Sequence, residues 1–343
     1  MLSFCGIVVF VKKIFCDIIL KGKHLSANYQ FYISKEVKKM LYKEWLYDWI
    51  ENYEKATVKT RTYTKYADII ENRLIPKLGD YEMNDITPIM VQRYITELMK
   101  SGNIKTGTGL SVNSINLIVA VIQGSLKTAY SLGLTDDYKM NKIKRPRAQE
   151  KQITCFSPSE QKIIEKAVLN DKRDKMVGIL ICLYTGLRVG ELLSLEWTDV
   201  DFSKNELTVN KTCYDVGASR VTTAPKTASS IRVIPLPKQL IPILKRHRNR
   251  SNSQYVISEN GTHIAVRSYQ RSFELLLKKL CLTHRGFHSL RHTFATRALE
   301  CGMDVKTLSE ILGHKNPTIT LNRYAHSLMD YKREMMNRLG KLI

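Results

Sequence analysis

Residues 206–236 read ELTVNKTCYDVGASRVTTAPKTASSIRVIPL. Within this stretch ELTVNKT, ASRVTT and SSIRVIPL are short, rich in β-branched residues and roughly alternating. That pattern predicts three antiparallel strands. On both sides the apolar period is helical. Upstream, Trp45, Leu46, Trp49, Ile50 and Tyr53 recur at three and four residues and mark one helix face. A second helix is predicted over Thr62–Leu74, ended by Pro76 and Gly79. A third starts at Pro88 behind Thr87 as cap, and a long fourth runs from Val112 to Ser131. Downstream of Pro237 the helical period resumes to the end. The order is helices, a small sheet, then helices, so the fold class is mainly α with a small antiparallel β-sheet (α+β).

The chain has 343 residues, which favours two domains. Lys plus Arg number 54 against 32 Asp plus Glu, a net charge of +22. Such a chain attracts polyanions, nucleic acid first and anionic membrane second. The seven cysteines are an odd number with no C-x-x-C pair, which argues against a disulfide framework or a zinc ribbon. The apolar run in MLSFCGIVVFVKKIFCDIIL is broken by Lys12, Lys13 and Asp17, too short to span a bilayer. Residues 1–39 are read as an N-terminal extension of uncertain status, and a start of translation at Met40 is a second reading.

The remaining boundaries follow composition. Residues 40–137 form a helical domain and 138–153 a basic linker. Residues 154–332 form a second domain and 333–343 a C-terminal tail. The stretch Tyr138–Lys151 holds six basic residues and one acidic, with Pro146 and no apolar periodicity. Over Ser327–Ile343, which includes the tail, Leu328, Tyr331, Met335, Leu339 and Leu342 stand near helical spacing. They suit packing on their own domain or on a neighbouring protomer.

Five local patterns carry chemistry. In Thr185–Leu192, Gly186 permits a sharp turn and Arg188 falls in the first turn of the next helix, an anion-binding location. Glu191 lies one turn on, able to hold nearby groups. Lys226 sits in a connection between predicted strands. His288 and Arg291 are three apart on one face near a helix start. His288 and His292 are also four apart, but Ser289 stands where the metalloprotease pattern needs Glu, so no metal is expected. Leu312-Gly313-His314 puts a histidine at a helix end, aimed out of the core, with Asp304 capping that helix at its start. Tyr324 falls about two turns beyond Pro317. Each pattern alone is weak.

Taken in order, the set (Arg188, Lys226, His288 with Arg291, His314, and Tyr324 ten residues later) resembles the active site of the tyrosine recombinase, or phage integrase, family. The similarity runs from about Thr154 to Lys332, and residues 40–137, with the segment IPKLGDYEMNDIT, resemble the family's core-binding DNA-binding domain. The resemblance implies a site-specific DNA recombinase that cuts and rejoins strands through a 3′-phosphotyrosine. Tyr324 would be the nucleophile, Arg188 and Arg291 phosphate ligands, Lys226 the general acid, and His288 and His314 hydrogen-bonding partners. No cofactor and no metal are implied. The implied partners are double-stranded DNA, a homotetramer on two duplexes, and accessory DNA-bending or directionality factors, with no membrane. The implied location is the bacterial cytoplasm, associated with the nucleoid. Residues 1–39 do not look like the arm-binding domain of many integrases. Two alternatives stay open: a relative limited to nicking and resealing, and a catalytically idle DNA-binding member.

Overall fold

The computed structural model describes residues 40–148, 155–217, 219–224, 230–314, 316–318, 320, 333, 336–337 and 339–340. Residues 1–39, Lys226 and Tyr324 lie outside the described residues, as does most of the tail beyond Thr320. The chain forms two compact units that divide between Glu150 and Lys151.

The first unit is helical. Its elements are α1 (Tyr42–Trp49), α2 (Thr60–Ile69), α3 (Ile75–Leu78), α4 (Pro88–Ser101) and α5 (Val112–Ser131). Trp45, Leu46, Trp49, Ile70, Leu74, Val91, Ile95, Val119 and Ile122 meet in its core. The spacing that predicts the first helix marks the buried face from Trp45 to Ile50, whereas Tyr53 is 37% exposed. Trp45 Nε1 donates to the Ser125 carbonyl at 2.9 Å. Thr87 caps α4 as expected, its Oγ1 accepting from Met90 N at 3.3 Å. Helical structure does not stop at Pro76. A widened turn, Ile70–Leu74, joins α2 to α3 and shifts the hydrogen-bond register just ahead of a residue that cannot donate.

The basic segment after Tyr138 is docked onto the helical unit over its first part. Met140 and Ile143 are buried in the helical core. The Gln92 side chain exchanges hydrogen bonds with backbone groups of Lys144, and Asn116 donates to the Pro146 carbonyl at 3.1 Å. Two apolar residues among the lysines suffice to anchor the segment, although they show no period.

The second unit contains α6 (Pro158–Leu169), α7 (Val177–Thr185), α8 (Val189–Leu193), β1 (Val200–Asp201), β2 (Glu206–Val209), β3 (Thr212–Val216), β4 (Ser219–Thr223) and β5 (Arg232–Pro235). It continues with α9 (Leu240–Arg250), α10 (Val266–Lys279), α11 (His288–Glu300) and α12 (Val305–Leu312). Ser157 and Glu160 form a capping box on α6. Helix α7 is buried along Ile179–Leu183 and forms the middle of the core. The expectation of three strands in one sheet is corrected to five short strands in two antiparallel sheets among the described residues. One sheet has the order β1-β2-β5; the other is the hairpin β3-β4. The predicted strand 206–212 breaks after Val209, and a new one starts at Thr212 to pair with β4. Among the described residues, no helix is long and apolar enough to cross a membrane.

Candidate active site

Gly186 ends α7 at φ +68°, and the turn delivers Arg188 as the residue that caps α8. Arg188 is thus at the cap and not inside the first turn, and α8 is only five residues long. The expected free amides are also partly taken. The Arg188 backbone N–H donates to Glu191 Oε2 at 2.9 Å, while its guanidinium Nη1 meets Oε1 of the same carboxylate at 2.7 Å. The anion-attracting element is therefore the guanidinium, whose side chain remains 37% exposed. Arg188 Nη2 also reaches the Gly313 carbonyl, at 3.5 Å.

Arg291 comes from α11 and is 2% exposed. Its Nη1 donates to the Gly186 carbonyl at 2.8 Å, and its Nη2 to the Leu312 carbonyl at 2.7 Å. Nη2 also lies 2.8 Å from His314 Nε2. Asp304 caps α12 through Thr307 N at 2.9 Å, and Gly313 ends it at φ +64°. His314 follows, turned onto Arg291 and Thr320 and not outward from the core as expected. The structure thus gathers Arg188, Arg291 and His314 around one turn, although 126 positions separate the first from the last. His288 opens α11 and is exposed, its ring edge-on to His292 at 4.6 Å. Arg291, on the same helix, faces the interior.

The sequence pattern described as Phage integrase family matches residues 156–330. The pattern described as Phage integrase, N-terminal SAM-like domain, matches residues 41–99. The chain belongs to the phage integrase family. Members of this family are tyrosine recombinases, so the protein is an enzyme that cleaves and rejoins DNA strands. A XerC-like tyrosine recombinase of Caldanaerobacter subterraneus subsp. tengcongensis is 30% identical, with 87% of this chain and 82% of the relative covered. The ICEBs1 integrase of Bacillus subtilis is 26% identical, with 78% of this chain and 75% of the relative covered. Among solved structures, the Tn1549 transposon integrase in complex with a circular intermediate DNA superposes with a TM-score of 0.73 at 23% identity. That match covers 87% of this chain and 99% of the other. A lambda integrase dimer bound to a COC′ core site gives 0.67 at 17% identity, covering 92% and 86%. The recombinase fold is thus shared at low identity.

In this recombinase two residues at the candidate site escape sequence reasoning. Arg232, on β5, has a side chain 6% exposed and contacts Glu191 through both terminal nitrogens, at 2.9 and 3.3 Å. The strand alternates with Arg232 and Ile234 inward and Val233 outward. A charged residue in phase with an inward apolar one was the available signal. Burial by itself would raise the pKa of the Glu191 carboxyl. The charge and hydrogen bonds of Arg232, then those of Arg188, outweigh burial and hold it below the ordinary carboxylate range. Thr320 is the other unforeseen member, 2.7 Å from His314 Nδ1. Among the described residues, no group of three or more His, Cys, Asp or Glu is placed to hold a metal ion.

Proposed function

We propose that this enzyme is a site-specific recombinase that integrates or excises a mobile DNA element, using Arg188, Lys226, His288, Arg291, His314 and Tyr324. The observation that carries the reading is the meeting of Arg188, Arg291 and His314 at the α12 terminus. Two guanidinium groups beside one turn suit the non-bridging oxygens of a single phosphate. Both would stabilise charge that builds as the phosphorus becomes pentacoordinate. Tyr324 attacks the phosphorus through its phenolate oxygen and forms the 3′-phosphotyrosine. The bond to the 5′ oxygen breaks, and Lys226 supplies the proton that makes it a hydroxyl. Reversal by a 5′ hydroxyl from another duplex rejoins the strands and releases the tyrosine. The phosphotyrosine keeps the bond energy, so neither ATP nor a metal enters the balance.

The named relatives support the mobile-element reading: the ICEBs1 integrase and the transposases of Tn916 and Tn1545. A lambda integrase tetramer bound to a Holliday junction supports a homotetramer on two duplexes. Double-stranded DNA as partner also fits the net charge of +22. Action on bacterial DNA puts the protein in the cytoplasm, at the nucleoid, with accessory bending or directionality factors as further partners.

The test is a suicide substrate, a nicked duplex from DNA flanking the gene that loses its 5′-hydroxyl fragment after cleavage. The expected result is a covalent adduct whose peptide map ends on Tyr324. Tyr324→Phe binds the duplex and forms no adduct. An adduct on another residue overturns the nucleophile assignment. Relaxation of supercoils without recombinant products from two sites favours the nicking-and-resealing alternative.

A further inference from the structure

Arg232 is a buried cation, its side chain 6% exposed, and it touches three parts of the candidate site. It donates to both oxygens of Glu191, through Nη2 at 2.9 Å and Nη1 at 3.3 Å. Nη1 also donates to the Ser230 carbonyl at 3.1 Å, next to the connection that carries Lys226. Nε donates to the carbonyl of Ile311, two residues before Gly313. A Cβ on Gly313 would lie 3.0 Å from Arg232 Nη1, so the guanidinium is packed against the turn that presents His314.

The charge balance is equally specific. Glu191 is 4% exposed and each of its oxygens accepts twice: Oε1 from Arg188 and Arg232 side chains, Oε2 from Arg232 and the Arg188 backbone. Without Arg232, the buried carboxylate would cancel the charge of Arg188. With Arg232, one carboxylate stands between two guanidinium groups and the cluster keeps a net positive charge. The inner guanidinium is buried, so that charge faces outward at Arg188, the partly exposed member.

We propose that Arg232 is a positioning residue for strand cleavage: it neutralises and orients Glu191 so that Arg188 meets the scissile phosphate with undiminished charge, and it locks the Arg188 and His314 turns together. This rests on the reading of Arg188 as a phosphate ligand. Arg232 touches no substrate in this scheme and acts through Glu191 and the α12 terminus.

The experiment measures single-turnover adduct formation on the suicide substrate, duplex affinity by gel shift and thermal midpoint, for Arg232→Met, Arg232→Lys and the double variant Arg232→Met/Glu191→Gln. Arg232→Met is expected to slow adduct formation about 100-fold while binding changes less than roughly threefold. Removing the unbalanced carboxylate in the double variant is expected to recover at least about tenfold of that loss, a coupling that lost packing alone would not produce. Cleavage by Arg232→Met within about threefold of wild type overturns the proposal, and so does a slow variant that Glu191→Gln fails to rescue. Where Arg232→Met does not fold, Arg232→Lys decides. It keeps the charge and loses the fork, so a drop of about tenfold or more at unchanged affinity supports the proposal, and a smaller one overturns it. Failure of the underlying reading looks different: the wild-type protein would then form no adduct through Tyr324, whatever stands at position 232.

Discussion

Arg291 Nη2 and His314 Nε2 lie 2.8 Å apart. A guanidinium only donates, so Nε2 accepts, and the ring proton sits on Nδ1, where it is donated to Thr320 Oγ1 at 2.7 Å. Thr320 is fully buried and fixes both the plane and the tautomer of the ring.

Thr320→Val keeps the shape of the side chain and removes the acceptor. Single-turnover adduct formation is expected to fall about tenfold, from a hydrogen bond of roughly 1–1.5 kcal/mol, with duplex affinity unchanged. Thr320→Ser restores the oxygen and should restore the rate. Equal rates for the Val and wild-type proteins would exclude a role for Thr320 in holding His314.

The two arginines are expected to separate in stability while agreeing in catalysis. Arg188→Ala and Arg291→Ala should each lower adduct formation by about 10²–10³. Arg291 also serves the carbonyls of Gly186 and Leu312 in the interior. Leaving these groups unpaired costs roughly 1–3 kcal/mol each. Arg188→Ala leaves Glu191 paired with Arg232, so its thermal midpoint should drop less. Calorimetry on the two variants reads the difference directly.

Glu191 gives a pH dependence of known sign. Its pKa in the folded protein is held below the ordinary 4.5 by Arg232 and Arg188 against the opposing effect of burial. A depressed carboxyl stabilises the fold above its unfolded pKa and loses that contribution as pH falls through the folded value. Stability should therefore decline with acid below about pH 4.5, the ordinary carboxylate value, and Glu191→Gln should flatten the slope there. Urea midpoints for the two proteins between neutral pH and the acid limb check this. Parallel curves would mean that Glu191 is not depressed.

Local rules made much of this legible. The spacing of Trp45, Leu46 and Trp49, Thr87 before Pro88, and Asp304 before Val305 each specify a helix face or cap from a few neighbouring residues. Arg188, Arg291 and His314 stand out in the sequence because each sits in a short motif. What escaped depends on contacts between distant segments. Arg232 shares the inward phase of Ile234, but its partner Glu191 lies 41 positions away and no local rule names it. His314 reads as a surface residue until Arg291 comes within reach. The segment after Tyr138 reads as a linker because Met140 and Ile143 show no period; only the helical unit supplies their pocket. The split of 206–212 into two sheets is likewise set by pairing partners, not by propensity.

Gly186 tests how tightly the turn before Arg188 is built. Its φ is +68°, and a Cβ there would lie 2.5 Å from the Phe294 ring and 2.8 Å from a Leu312 methyl. Gly302 offers a matched comparison in the same unit: φ +88° with nothing within 4 Å of the added carbon. Both Ala variants bear backbone strain of about 1–3 kcal/mol. Gly186→Ala must also displace side chains of α11 and α12, a further 1–3 kcal/mol or so. Its carbonyl holds Arg291, and the displaced Leu312 adjoins Gly313, so the strain falls on the residues that gather the site. Gly186→Ala should therefore lower both the thermal midpoint and the adduct rate, whereas Gly302→Ala should lower the midpoint modestly and leave the rate per folded molecule intact. Equal effects of the two substitutions on the rate would show that the turn at Gly186 does not set the position of Arg188.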